Sequence, residues 1–160
     1  WFLVVVCFPA LEDVCYESFP GPTGVPGAGL SQGHGAEEAN EANAVVPQPC
    51  ILVMDSLKLS NHDSVCRLLR DYLQVEWEVR RGTPRLFTPD TMRSCNCQVP
   101  QQDNSSDCGL YLLQYAQSFL QNPVVHFELP LRLGNWFPRQ QVRQKREEIR
   151  SLILELHQSQ

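Results

Sequence analysis

Two short apolar runs, separated by a stretch unable to pack, most limit what this chain can fold into. Phe2-Leu3-Val4-Val5-Val6-Cys7-Phe8 and Cys50-Ile51-Leu52-Val53-Met54 are too short for helices and too apolar for half-exposed strands. Short runs rich in Val and Ile, ended by turn signals, read as strands buried on both faces. Between them, residues 20–49 hold six of the nine glycines and five of the twelve prolines. Such a segment buries too little apolar surface to offset its ordering entropy. Residues 20–49 are therefore expected to be a flexible insertion between core strands, with a short additional strand at 14–19 before it. A chain that starts at Trp1, not Met, inside a buried strand reads as part of a longer protein. A secretory leader does not fit that first run, because no basic residue precedes it and acidic residues follow.

Length and composition bound the class. At 160 residues the chain is one domain, and 42% hydrophobic with 19% charged residues is globular. No apolar run approaches the ~18–20 residues of a membrane span, so no membrane partner is expected. A net charge of −5 and a pI near 5.3 argue against a dedicated nucleic-acid binder. The charge is uneven: residues 1–57 hold seven acidic and no basic side chains, and residues 58–160 hold thirteen basic and eleven acidic. Seven cysteines at irregular spacing suit reduced, mostly buried thiols. Cys95-Asn-Cys97 has no second ligand pair at zinc-like spacing, so neither a metal nor a cofactor is expected.

The rest of the chain reads as helices and connections. Ser60 and Asp63 form a capping box, followed by an apolar stripe of Val65, Leu68, Leu69 and Tyr72. Val75, Trp77 and Val79 alternate with polar residues, which predicts a half-buried strand over 74–80. Residues 81–107 read as loop. Gly109–Leu120 predicts a helix apolar on nearly all sides, hence central. Pro138 suits the start of a last helix, with Ile149, Leu152, Ile153 and Leu156 as its buried stripe. Arg139, Arg143, Lys145, Arg146 and Arg150 form its other face, solvated or turned to an acidic partner.

The chemistry concentrates in Pro100-Gln101-Gln102-Asp103-Asn104-Ser105-Ser106-Asp107-Cys108-Gly109. A polar loop runs into Cys108, and a buried helix begins one residue later. Free N–H groups and the macrodipole at a helix start favour thiolate over thiol, so Cys108 is a candidate nucleophile. Asp107 opposes this unless its carboxylate turns into hydrogen bonds of its own. Attack on a carbonyl also needs oxyanion donors: the Cys108 backbone N–H, and the side-chain amide of either Gln102 or Gln101. A base held by an acid completes the set. Asp55, at the end of a buried strand, is the candidate acid, with a turn-initiating Asp as the bland alternative. His34, His62, His126 and His157 each lack a placement that singles one out as the base.

Gln102-x5-Cys108-Gly109, with Asp55-Ser56 closing a strand, resembles the sentrin/SUMO-specific cysteine proteases of the ubiquitin-like-protein protease clan. Pro49-Cys50-Ile51-Leu52, Asp55-Ser56-Leu57-Lys58, Phe127-Glu128-Leu129-Pro130 and Trp136-Phe137-Pro138-Arg139 are similar to the branch of sentrin-specific proteases six and seven. The resemblance implies an α+β fold, the C-terminal portion of a cysteine-protease catalytic domain with a central sheet flanked by helices. It makes Cys108 the nucleophile, Asp55 the orienting acid and Gln102 the oxyanion donor. Trp1 then lines the passage for a Gly-Gly tail, and the catalytic His immediately precedes Trp1, so this chain alone is expected to be inactive. The implied reaction is hydrolysis of SUMO isopeptide bonds, on chains above all, through a thioester. A monomer acting in the nucleus on SUMO conjugates is implied too. A non-catalytic module that holds SUMO is the alternative.

Overall fold

The computed structural model describes residues 1–11, 47–57, 61–122, 124 and 128–159. The expected strand at 14–19, nearly all of the 20–49 insertion, Ser60, His34 and His126 lie outside the described residues.

β1 (Phe2–Cys7) and β2 (Cys50–Asp55) are the two apolar runs, and β3 (Arg93–Asn96) follows helix α1 (Asp63–Arg81). Helices α2 (Cys108–Gln121) and α3 (Arg139–Gln158) complete the order. The sheet is ordered β1-β2-β3, antiparallel between β1 and β2 and parallel between β2 and β3. β2 is central, and no residue from Cys50 to Met54 is more than 1% exposed. Side chains alternate across a strand, so β2 feeds two cores. Cys50, Leu52 and Met54 pack with Tyr111 and Tyr115 of α2, Val142 of α3 and Phe137. Ile51 and Val53 pack with Phe2, Val4 and Val6 of β1 and Cys66, Leu69, Leu73 and Trp77 of α1. The described residues thus form an α+β arrangement with α1 on one face of the sheet and α2 and α3 on the other. Among them no helix is long and apolar enough to cross a membrane.

Several sequence expectations are corrected. Residues 74–80 are not a strand but the last two turns of α1. Val75 and Val79 are 61% and 77% exposed, while Trp77 continues the stripe Cys66, Leu69, Leu73, spaced three or four residues apart. That stripe differs from the expected one, since Leu68 and Tyr72 face solvent. The start of α1 also shifts: its N-cap is His62, so the Ser60 capping box does not mark it. Gly82 ends α1 in the left-handed conformation at φ 68°, where a residue without Cβ avoids strain, and gives its N–H to Glu78 O at 2.9 Å. Buried Arg70 is satisfied by Met92 O at 2.9 Å.

Residues 81–107 are not all loop. β3 forms although Arg-Ser-Cys-Asn carries no β-branched residue, because it pairs with the open edge of β2, burying Cys95 alone. α2 matches expectation in its bounds and in burying Tyr111 and Tyr115, although Leu113 and Leu120 are exposed. α3 begins after Pro138 as expected, but its packed residues are Val142 and Lys145. Leu152, Ile153 and Leu156 are exposed, so the expected buried stripe is wrong; nothing in the described residues lies over that half of the helix.

This division predicts unequal costs. Leu52→Ala should lower unfolding free energy in urea by about 2–5 kcal/mol. Leu152→Gln should change it by no more than about 0.5 kcal/mol.

Candidate active site

The site is built at the end of β2. Burial holds that strand until Asp55, where the chain leaves the core. Asp55 lies on the α1 side of the sheet. Its Oδ1 accepts the Leu57 N–H at 2.9 Å, and its Oδ2 lies 2.9 Å from His62 Nε2. The first of these bonds is the turn-initiating one; the second engages the carboxylate with a histidine that the sequence did not single out as a base. His62 is 6% exposed, and its ring lies tilted by 37° against Phe2 with centroids 4.2 Å apart. This contact was not legible in the sequence, where His62 carries no signal beyond opening a helix seven residues after an Asp. A cavity of about 380 Å³ lies beside the pair, lined also by Asn96, Gln98 and Gln101.

Ser56, on the opposite parity and 1% exposed, faces the other side. It joins β2 to the loop that precedes α2. Gln102 gives its N–H to Ser56 O at 3.2 Å, and Ser56 Oγ donates to Gln102 Oε1 at 2.5 Å. Gln101 Nε2 donates to Asp55 O and Val99 O, both at 3.0 Å. From α2, Tyr111 OH donates to Gln101 O at 3.2 Å and Tyr115 OH to Pro100 O at 2.6 Å. Burial pushes both tyrosine hydroxyls up from their ordinary range. The two glutamines consequently differ. Gln101 spends both amide hydrogens on backbone carbonyls, whereas Gln102 gives one, to Asn104 O at 2.6 Å.

Next, the loop folds on itself. Asn104 Oδ1 accepts the N–H groups of Ser106 and Asp107 at 3.1 and 3.0 Å, the side-chain substitute for a backbone turn. The chain then enters α2 at Cys108, with Asp107 as N-cap. The Asp107 carboxylate makes no cap bond. Oδ2 accepts from Asn104 Nδ2 at 2.9 Å, and Oδ1 from Arg146 Nη2 at 3.1 Å. Both carboxylate oxygens are thus taken up in hydrogen bonds. The Asn104 amide, with Arg146, holds the Asp107 carboxyl below its ordinary range. Arg143 and Arg139 of α3 lie 3.1 and 3.8 Å from Asp103 Oδ2. Three arginines of the α3 basic face, Arg139, Arg143 and Arg146, thus pair with this loop while remaining largely exposed to solvent. Lys145 departs from that face: it is buried, bonded to Gln117, and 3.4 Å from Glu148.

Cys7, Cys50, Cys66, Cys95 and Cys97 are buried and free, while Cys108 is half-buried at the surface. Bonding to Cys7 and burial push the Cys50 thiol up, and burial pushes Cys66 up. A Cβ placed on Gly109 meets nothing within 4 Å, so the start of α2 is open to approach. Trp1 is 83% exposed, one residue before Phe2, which pairs with Asp55. His157 sits on the exposed end of α3, away from these groups. Among the described residues no group of three or more His, Cys, Asp or Glu side chains is placed to hold a metal ion.

The Asp107 bonds give a pH prediction. A carboxyl held lower in the folded than in the unfolded chain stabilises the fold fully above its unfolded value, ~3.9. That stabilisation is lost as pH falls through the folded value. Asp107→Asn should melt below the unaltered chain at neutral pH, and the gap should close in strong acid; thermal melts across pH check this.

Residues 1–157 match the family described as the Ulp1 protease family, C-terminal catalytic domain. Sentrin-specific protease 7 of Mus musculus is 44% identical over 181 residues, which cover 98% of this chain and 18% of that protein. Sentrin-specific protease 6 of Mus musculus is 55% identical over 116 residues, 72% of this chain and 10% of that protein. Probable ubiquitin-like-specific protease 2A of Arabidopsis thaliana is 35% identical over 118 residues, 68% of this chain and 15% of that protein. The chain thus spans less than a fifth of the length of these relatives. A solved structure, "Crystal structure of the de-sumoylating protease", aligns at 27% identity over 48% of this chain and 29% of its own, with a TM-score of 0.42.

Proposed function

The chain belongs to the Ulp1 protease family, and on that premise we propose that it carries the nucleophile side of a SUMO-specific cysteine protease. The observation that carries the reading is the pinning of the Gln102–Cys108 loop to the end of β2, one residue past Asp55. The names of its relatives, sentrin-specific proteases 7 and 6, supply the substrate class.

In this reading the Cys108 thiolate attacks the carbonyl carbon of the terminal glycine of SUMO. A C–S bond forms, and the negative charge on the carbonyl oxygen is held by the Cys108 backbone N–H and the Gln102 amide. Gln102 is preferred to Gln101 because Gln101 has both amide hydrogens committed to backbone. The C–N bond then breaks, and the lysine amine leaves with a proton from the base. Water hydrolyses the thioester and restores the thiol. By resemblance the base immediately precedes Trp1, oriented by Asp55. The pairing of Phe2 with Asp55 supports this, because it brings that end of β1 to the Asp55 edge. A triad without one member loses ~10⁴-fold or more in rate, so the 160 residues alone are inactive in this proposal. The exposed Trp1 ring would flank the Gly-Gly tail. SUMO chains as substrate and a nuclear location complete the proposal.

One observation favours a second reading, a non-catalytic module that holds SUMO: His62 already occupies the Asp55 carboxylate. Kinetics separate the two. In a version extended upstream, Asp55→Asn should lower kcat for a SUMO conjugate ~10⁴-fold with the fold intact. Gln102→Ala should lower kcat ~10²–10³-fold, and Gln101→Ala should act on melting temperature more than on kcat. Turnover unchanged in Asp55→Asn removes Asp55 from the mechanism, and no turnover by the extended protein favours the binding module.

A further inference from the structure

Three arginines of α3 stand at i, i+4 and i+7, positions that share one helix face. Arg139 and Arg143 reach Asp103, and Arg146 reaches Asp107. Each aspartate is the chain neighbour of a residue the mechanism uses: Asp103 follows Gln102, and Asp107 precedes Cys108. One rigid helix therefore grips the loop beside both the oxyanion donor and the nucleophile. Val142 and Lys145, on the flank of that face in the same two turns, are buried, so the arginines project from a fixed base.

The charge balance bears on the thiol. Two carboxylates within five residues of Cys108 would raise the energy of a thiolate there. Asn104 and Ser106 give Asp107 hydrogen bonds but no charge. From α3, Arg139, Arg143 and Arg146 face the loop; from α2, Tyr111 does; across the loop stand Asp55 and His62, paired with each other at 2.9 Å. The cations that counter Asp103 and Asp107 thus come from α3.

We propose that Arg146, with Arg143 one turn before it, is a positioning residue: the two guanidinium groups clamp the loop between Gln102 and Cys108 and cancel the carboxylates that oppose a thiolate at Cys108. The proposal rests on the reading of Cys108 as nucleophile. Its consequence is readable without turnover, since alkylation by iodoacetamide consumes the thiolate, forming a C–S bond and releasing iodide.

The experiment measures alkylation of Cys108 by peptide mass across about pH 6 to 9, in the 160-residue chain and in Arg146→Gln, Arg146→Lys and Arg150→Gln. Among the described residues Arg150 pairs with Glu147, at 3.8 Å, and serves as control. Arg146→Gln should react about three- to tenfold more slowly near neutrality. Arg146→Lys should retain most of the rate, Arg150→Gln all of it, and Arg146→Gln combined with Asp107→Asn should recover it. About 1 M salt should narrow the gap, because exposed charges are then screened within ~3 Å. Exposed ion pairs contribute little to stability, so the variants fold, as melting curves would show. A reactive Cys108 indifferent to Arg146→Gln overturns the clamp, and so does a Lys variant that loses as much as the Gln variant. A Cys108 in the unaltered chain no faster than buried Cys66 removes the nucleophile reading and the clamp with it.

Discussion

Two hydrogen bonds between Ser56 and Gln102 join the most buried strand of the sheet to the loop that carries Cys108. The proposed chemistry depends on that joint. β2 cannot shift, because both its faces are core. Whatever is bonded to its end inherits that rigidity. Gln101 adds a second tie through the Asp55 and Val99 carbonyls, and the two tyrosine hydroxyls of α2 hold the loop from beneath. A loop of polar residues thereby becomes a fixed platform, as a site that stabilises developing charge requires.

The charge asymmetry along the sequence acquires a structural meaning here. Of the thirteen basic residues, which begin at Lys58, five lie on α3. Three of these, Arg139, Arg143 and Arg146, turn towards Asp103 and Asp107, so an acidic loop and a basic helix meet. Asp107 illustrates how local geometry decides an electrostatic sign. Beside a thiol in sequence it is unfavourable, but with one oxygen on Asn104 and the other on Arg146 it becomes part of the framework.

The sequence was legible where one signal dominates. β1 and β2 follow from short, continuous apolar runs, and α2 and α3 from long segments with clear starts. It misled where two periods overlap. Val75, Trp77 and Val79 fit a strand, yet Trp77 also lies four residues after Leu73 and eight after Leu69, and the helix prevails through the packing of Trp77 on Phe87 and under Arg85. β3 was unreadable because its identity comes from its neighbour: an exposed Arg-Ser-Cys-Asn becomes a strand beside β2 and would not be one elsewhere. The stripe on α3 was readable as apolar but not as uncovered. In the site, Cys108 and Asp55 stood out, because a thiol at a helix start and an acid at a strand end have local signatures. The His62–Asp55 contact has none, since it depends on how α1 folds back over β1 and β2.

The most direct test of the central claim is intact mass after exposure to SUMO carrying a thiol-reactive group in place of its terminal carboxylate. It would be run on a version of the chain extended upstream and on its Cys108→Ser variant. The account predicts one SUMO adduct, mapped to Cys108 and absent from the variant. An extended, folded protein that binds SUMO and forms no adduct, or an adduct on another cysteine, would contradict it.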